Sequence, residues 1–120
     1  MDDRLYKFTL TRVVNGDTVE GFVDLGFDIS TKQRFRLDGI VAPSLRSENA
    51  DEKERAKAAK MWLSSRLIRK QIVIKSRKAN KFGHYLATLF IDGSNVNEEL
   101  LSAGHAFKFN GREKPHEAED

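Results

Sequence analysis

With 120 residues, 39% of them hydrophobic and 32% charged, the chain is sized and composed as one globular domain with its own core. It has no cysteine, which excludes disulfides, thiolate metal sites and cysteine nucleophiles. No apolar run approaches the roughly 20 residues of a membrane span, and the N-terminus is acidic where a secretory leader is basic. We therefore expect a soluble, cytoplasmic protein without membrane contacts.

The formal net charge is only +3, but the basic residues are unevenly placed. Residues 55–91 contain ten Lys or Arg and no Asp or Glu. Such a block attracts polyanions through counterion release. Solvated helix faces and strand-edge lysines produce the same pattern, so both interpretations stay open.

The first part of the chain predicts three strands. Residues 5–14 are rich in β-branched and aromatic residues, the turn residues 15–17 follow, and a second strand is expected over residues 18–25. Residues 26–31 indicate a loop, and residues 33–37, with alternating basic and apolar side chains, predict a third strand.

A long helix is predicted over residues 50–68. Asn49 and Glu52 have the spacing of a capping box. An apolar stripe at helical spacing, which we expect in the core, consists of Ala56, Ala59, Trp62, Leu63 and Leu67.

The last elements predicted are two strands and a short helix. The strands are expected over residues 71–76 and 85–91. Ser94 is predicted to cap the helix, which ends at Gly104. Residues 1–111 form one domain in this prediction. Residues 112–120 lack large apolar residues and are expected to be a disordered tail.

Five short strands with a long helix between the third and the fourth suggest a small five-stranded β-barrel of the OB type with two or three helices. Local patterns alone support the α+β class and no more.

Short motifs narrow the prediction. In chain order they are Gly16-Asp17-Thr18-Val19, Arg36-Leu37 with Gly39-Ile40 and Ala42-Pro43, Glu54-Arg55-Ala56-Lys57, Lys81-Phe82-Gly83, and Val96-Asn97-Glu98-Glu99-Leu100 with Gly104-His105-Ala106. Over about residues 6–109 the chain resembles the staphylococcal-nuclease-like (thermonuclease) family, and its ending is similar to compact phage and prophage versions. The resemblance implies the OB-type fold and favours a phage origin.

In active members of that family, a calcium ion and two arginines hold a phosphodiester while a glutamate activates water. By position, the resemblance assigns the inner metal aspartate to Asp17 and the first arginine to Arg36. The other functional positions carry replacements: Asn15 for the outer turn aspartate, Val41 for the second metal aspartate, Ser44 for the base and His84 for the second arginine.

These replacements predict a degenerate site. Calcium takes six to eight oxygen ligands, and Val41 removes both a ligand and a charge. Ser44 cannot act as a base near neutral pH, and His84 lacks the permanent charge and fork of a guanidinium. We expect no cofactor, with weak or no metal at Asp17; calcium would be required if the site were active.

The favoured hypothesis is a non-catalytic module that binds single-stranded DNA or RNA, or a protein. The residues expected to contact nucleic acid are Arg36, Arg77, Lys78, Lys81, Phe82 and His84. Phe107 and Phe109 are candidates either for base stacking or for the core.

The alternative hypothesis is a metal-dependent endonuclease with substituted groups. Glu48, Asp51 or Asp38 would rebuild the metal site beside Asp17, and His84 would act as acid or base. For Glu48 and Asp51, helix N-terminal electrostatics explain the same residues without a metal.

Overall fold

The computed structural model describes residues 4–78, without the side chain of Lys78, and residues 85–109. Its first half is an antiparallel meander of β1 (Leu5–Asn15), β2 (Thr18–Gly26) and β3 (Ile29–Leu37). The alternation of β2 and β3 turns Val19, Val23, Phe35 and Leu37 into the core, and their neighbours outward.

The meander closes into a barrel through two further strands. The free edge of β1 pairs with β5 (Ile72–Lys78), which pairs with β6 (Tyr85–Ile91). Strand β6 then pairs in parallel with β3, from Phe35 beside Tyr85 to Leu37 beside Ala87. This pairing closes the five-stranded OB-type barrel and confirms the predicted α+β class. Three two-residue strands complete the sheets: β4 (Ile40–Val41), β7 (Ser94–Asn95) and β8 (Phe107–Lys108).

Helix α1 (Ala50–Leu67) packs against β1 and the β1–β2 turn. The side chain of Asn49 caps it by accepting the N–H of Glu52 at 3.0 Å. The predicted stripe is confirmed, because Ala56, Ala59, Leu63 and Leu67 are buried and Trp62 is half-buried.

Helix α2 (Val96–Ser102) follows β6 and β7. Its cap is Asn95, which accepts the N–H of Glu98 at 3.0 Å, so the prediction that the cap is Ser94 was wrong. Ser94 instead pairs with Ile91 in the β6–β7 ladder. Neither helix in the described ranges has the length and apolar character needed to cross a membrane.

The loop predicted over residues 26–31 was also wrong. The connection is a two-residue hairpin turn, Phe27–Asp28, and β3 begins at Ile29. Phe27 and Asp28 have φ angles of 55° and 61°, a conformation that side chains with a Cβ rarely adopt. Because Phe is not a residue that signals such a turn, the sequence pattern did not reveal it.

A buried amide ties the barrel closure together. Asn97, which is 4% exposed, accepts the N–H of Leu89 at 3.1 Å. It donates to the carbonyls of Ala87 and Asp38, each at 3.0 Å. These bonds connect α2, β6 and the turn that follows β3, close to the predicted site.

Candidate functional site

The β1–β2 turn places Asp17 inside the molecule. The side chain of Asn15 accepts the N–H of Asp17 at 3.0 Å, and the carbonyl of Asp17 accepts the N–H of Leu37 at 2.8 Å. The first bond is an Asx-turn, which explains why Asn serves at position 15. As a result, Asp17 is only 6% exposed.

Both carboxylate oxygens of Asp17 accept hydrogen bonds from the protein. Oδ2 accepts the N–H of Ala42 at 2.8 Å, and Oδ1 accepts the hydroxyl of Thr18 at 2.9 Å. A terminal nitrogen of Arg36, the second-last residue of β3, lies 3.7 Å from Oδ2. The carboxylate therefore holds the β1–β2 turn against the segment after β4.

The β1–β2 turn is also packed closely against α1 and Ala42. A Cβ at Gly16 would lie 2.7 Å from the Cβ of Ala59 on α1 and 2.9 Å from that of Ala42. Since such distances are too short for real side chains, only glycine lets the turn approach the helix this closely.

Two of the four predicted replacements, Val41 and Ser44, have different surroundings in the structure. Val41 is fully buried and pairs with Phe107 in the short β4–β8 ladder. Ser44 is half-buried, and its hydroxyl accepts the N–H of Arg46 at 3.1 Å.

The carboxylate of Glu52, which was predicted only as part of a capping box, lies near Ser44. Oε2 of Glu52 lies 3.5 Å from the N–H nitrogen of Ser44, and Oε1 accepts the hydroxyl of Ser47 at 2.8 Å. Glu52 therefore bridges α1 and the loop before it. The spacing from Asn49 to Glu52 predicts the start of a helix, but it does not show where the Glu52 carboxylate points.

Of the predicted nucleic-acid contacts, Arg77 is already engaged. Its guanidinium donates two hydrogen bonds to Asp38, at 2.8 and 3.0 Å, and this carboxylate raises the pKa of Arg77 above its ordinary value. The pair carries no net charge, which weakens Arg77 as a phosphate contact. The same pair engages Asp38, the acid predicted as a substitute metal ligand.

The remaining predicted residues either lie outside the described ranges or are exposed on the surface. The backbone of Lys78 ends β5, but its side chain, like Lys81, Phe82, His84 and the tail 112–120, lies outside the described residues. Glu48 and Asp51 are exposed at the start of α1. Phe107 is 46% exposed, so it is not a core residue.

The structure thus brings Asp17 and Arg36 together beside the buried Val41. Within residues 4–78 and 85–109, no group of three or more His, Asp or Glu side chains is arranged to hold a metal ion.

Comparisons with known proteins agree with this architecture. Residues 34–120 match the model of the family described as staphylococcal nuclease homologue, a range that includes Arg36, Val41 and Ser44 and excludes the Asp17 turn. The chain is also 30% identical over 125 residues to an uncharacterized protein of Methanocaldococcus jannaschii. That alignment covers 84% of this chain and 58% of the archaeal protein, so the chain spans little more than half of this relative. The match over most of its length shows that the chain belongs to the staphylococcal nuclease homologue family.

Proposed function

We propose that this domain has lost the calcium-dependent phosphodiesterase activity of its family and serves as a nucleic-acid-binding module, with a protein as the alternative partner. The observation that supports the proposal is the hydrogen bonding of the buried Asp17 carboxylate. Its two oxygens accept bonds from Ala42 and Thr18, so its carboxylate acts as a structural tie.

The residues at the site do not fit a calcium ion. Calcium requires six to eight oxygen ligands, and its affinity follows the number of charged ones. The site offers one carboxylate, Asp17, and the position of the second family aspartate is the fully buried Val41. Oδ2 of Asp17 already accepts the N–H of Ala42, so this oxygen has less capacity left for a cation.

The base position supports the same conclusion. Ser44 is not a base near neutral pH, and assisted proton transfer is worth roughly 10²–10⁴ in rate.

One observation favours the second candidate function, a metal-dependent DNA or RNA endonuclease with substituted groups: the carboxylate of Glu52 lies next to Ser44. Glu52 would then act as the base.

Binding is supported by the groups that persist. Arg36 keeps its position at the end of β3 with its side chain 37% exposed, and the chain has a net positive charge. A guanidinium at this place is suited to a phosphate oxygen of single-stranded DNA or RNA. The phage origin and the cytoplasmic location stay predictions.

The test is a cleavage assay run beside a binding assay. The purified protein is incubated with single-stranded DNA and RNA in millimolar calcium, magnesium or manganese, and oligonucleotide affinity is measured at increasing salt. We expect no cleavage and an affinity that falls steeply with salt. No affinity, or an affinity without a steep salt dependence, would redirect the search to a protein partner.

Two variants separate the candidates. Metal-dependent cleavage that is abolished by both Asp17→Asn and Glu52→Gln would establish the endonuclease. Restoring the family groups with Val41→Asp, Ser44→Glu and His84→Arg should confer some cleavage, because the barrel still supports the turn and Arg36.

A further inference from the structure

A row of cations runs along the outer face of β3. Phe35 and Leu37 point into the core, so Lys32, Arg34 and Arg36 point outward from the same strand. Residues two apart in a strand are separated by about 7 Å, a step comparable to that between successive phosphates of an extended single strand. The row begins at Arg36, beside Asp17, and leads away from the candidate site.

The middle of this row is braced by an ion-pair network across three strands. Glu20 on β2 accepts Arg12 of β1 at 2.9 Å and Arg34 of β3 at 2.7 Å. These hydrogen bonds, that of Arg34 first, lower the pKa of Glu20 below its ordinary value, so the carboxylate stays ionised. Because two guanidiniums share one carboxylate, the network keeps a net positive charge. The side chains of Arg12 and Arg34 are 59% and 57% exposed, so both are open to an anion.

An aromatic ring lies beside the row. In the strand register Phe22 is opposite Lys32 on β3 and Thr9 on β1, on the same outward face, and it is 40% exposed. Phe22 and Phe27 line a shallow hollow of about 520 Å³ toward the hairpin tip. Asp24 and Asp28 also line it, so this end repels phosphates while still offering ring faces to bases.

We propose that the outer face of the β1–β3 meander is a single-strand binding track. The phosphates lie along Arg36, Arg34 and Lys32, and a base stacks on Phe22. The occupant follows from the chemistry: the alternating cations match a polyanionic backbone, and a ring face is accessible only to an unpaired base. This track rests on the proposed function and specifies which surface performs it.

The experiment measures the affinity of the full chain for fluorescein-labelled single-stranded dT12 at several salt concentrations. For Lys32→Gln/Arg34→Gln we expect several-fold weaker binding and a salt slope reduced by about 1.4, since each lost phosphate contact on a single strand contributes about 0.7. The double variant Lys53→Gln/Lys57→Gln on α1 removes the same charge and should change the slope little. Lys32 makes no ion pair within residues 4–78 and 85–109, so Lys32→Gln alone covers the case in which loss of Arg34 impairs folding.

A second variant tests the stacking. Phe22→Leu keeps an apolar side chain without the ring, and we expect affinity to fall at least about fivefold with an unchanged salt slope. A duplex of the same length should bind more weakly than the single strand.

The outcomes distinguish this inference from the proposed function. If the wild type binds dT12 and the β3 variants bind it equally well, the track is wrong while the binding function stands. If the β3 variants and the α1 control lose affinity equally, binding follows net charge and the track is again wrong. If the wild type does not bind single strands at all, the track and the nucleic-acid-binding function both fail, and only the alternative of a protein partner is left.

Discussion

Asp17, which the sequence resemblance aligns with a metal ligand of the family, has the contacts of a structural residue. Its carboxylate is 6% exposed, and both oxygens accept hydrogen bonds from the protein. Its interaction with Arg36, at 3.7 Å, is looser than either bond.

For Asp17→Ala we expect the free energy of unfolding to fall by about 1–3 kcal/mol, because the buried N–H of Ala42 loses its acceptor. Asp17→Asn keeps one acceptor oxygen and should cost less. Urea denaturation of both variants measures the difference. An alanine variant as stable as the wild type would show that the carboxylate is not a structural tie.

Calcium provides a second test at this scale. We expect millimolar calcium to leave the wild-type melting midpoint unchanged, since a ligand raises it only by binding the folded state. Val41→Asp should lower the midpoint by placing a second carboxylate near Asp17, and calcium should restore part of the loss. Thermal melts in calcium and in chelator measure both effects; a clear shift of the wild type would contradict the proposal.

Among the elements, the β2–β3 hairpin is built with an unfavourable turn. Phe27 is 97% exposed and holds a positive φ, as does Asp28. The ring contributes almost nothing to the core, while the backbone conformation is costly for residues with a Cβ.

Replacing the turn by Phe27→Asn/Asp28→Gly should increase the free energy of unfolding by about 1 kcal/mol, because these residues accept positive φ. Phe27→Leu is the matched control, which removes the ring and keeps the strain, and it should bring no gain. Urea denaturation compares the three proteins. Equal stability of all three would mean that the turn is not strained.

Helices α1 and α2 are joined by an ion pair whose effect depends on pH. Arg66 donates to Glu99 at 2.6 and 3.2 Å, which lowers the pKa of Glu99 below its ordinary 4.5. A lowered carboxyl pKa stabilises the fold above the unfolded-state pKa. The contribution is lost as the pH falls through the folded-state pKa.

Glu99→Gln should therefore reduce stability at about pH 6 by less than about 1 kcal/mol and flatten its decline toward about pH 3. Glu98→Gln, on the same turn of α2, is the control and should keep the wild-type decline. Unfolding by urea across this range measures both. A wild-type slope in Glu99→Gln would exclude the ion pair as a source of acid sensitivity.

For the whole molecule, the decisive contacts are those that close the barrel. The parallel pairing of β3 with β6 joins the two halves of the chain, and Asn97 holds α2 to both. Because the turn after β3 is part of this junction, the closure also fixes Arg36 relative to Asp17.

Asn97→Ala should lower the free energy of unfolding by about 3 kcal/mol, since it leaves one buried donor and weakens two carbonyl acceptors. Asn95→Ala removes only the cap of α2 and should cost about 1 kcal/mol. Equilibrium denaturation ranks the two variants. If the cap variant were the less stable, Asn97 would not be the closure residue that its contacts suggest.

Local information accounts for much of this architecture. The stripe from Ala56 to Leu67 predicts α1, the alternation around Val19 and Phe35 predicts the meander, and the motif spacing identifies the family before any coordinates are known. The helix and the strands depend on residues only a few positions apart, where hydrophobic periodicity and turn chemistry dominate.

The contacts that define the site and the track are of a different kind. Ala42 is 25 residues from the carboxylate it binds, Asp38 is 39 residues from Arg77, and the bracing of Arg12 and Arg34 by Glu20 requires the register of three strands. A side chain's partner across such separations depends on how strands pair and twist, which local patterns do not specify. The chain's family and folding units can therefore be read from its residues in order, whereas whether a charge is free to bind a ligand is settled by packing.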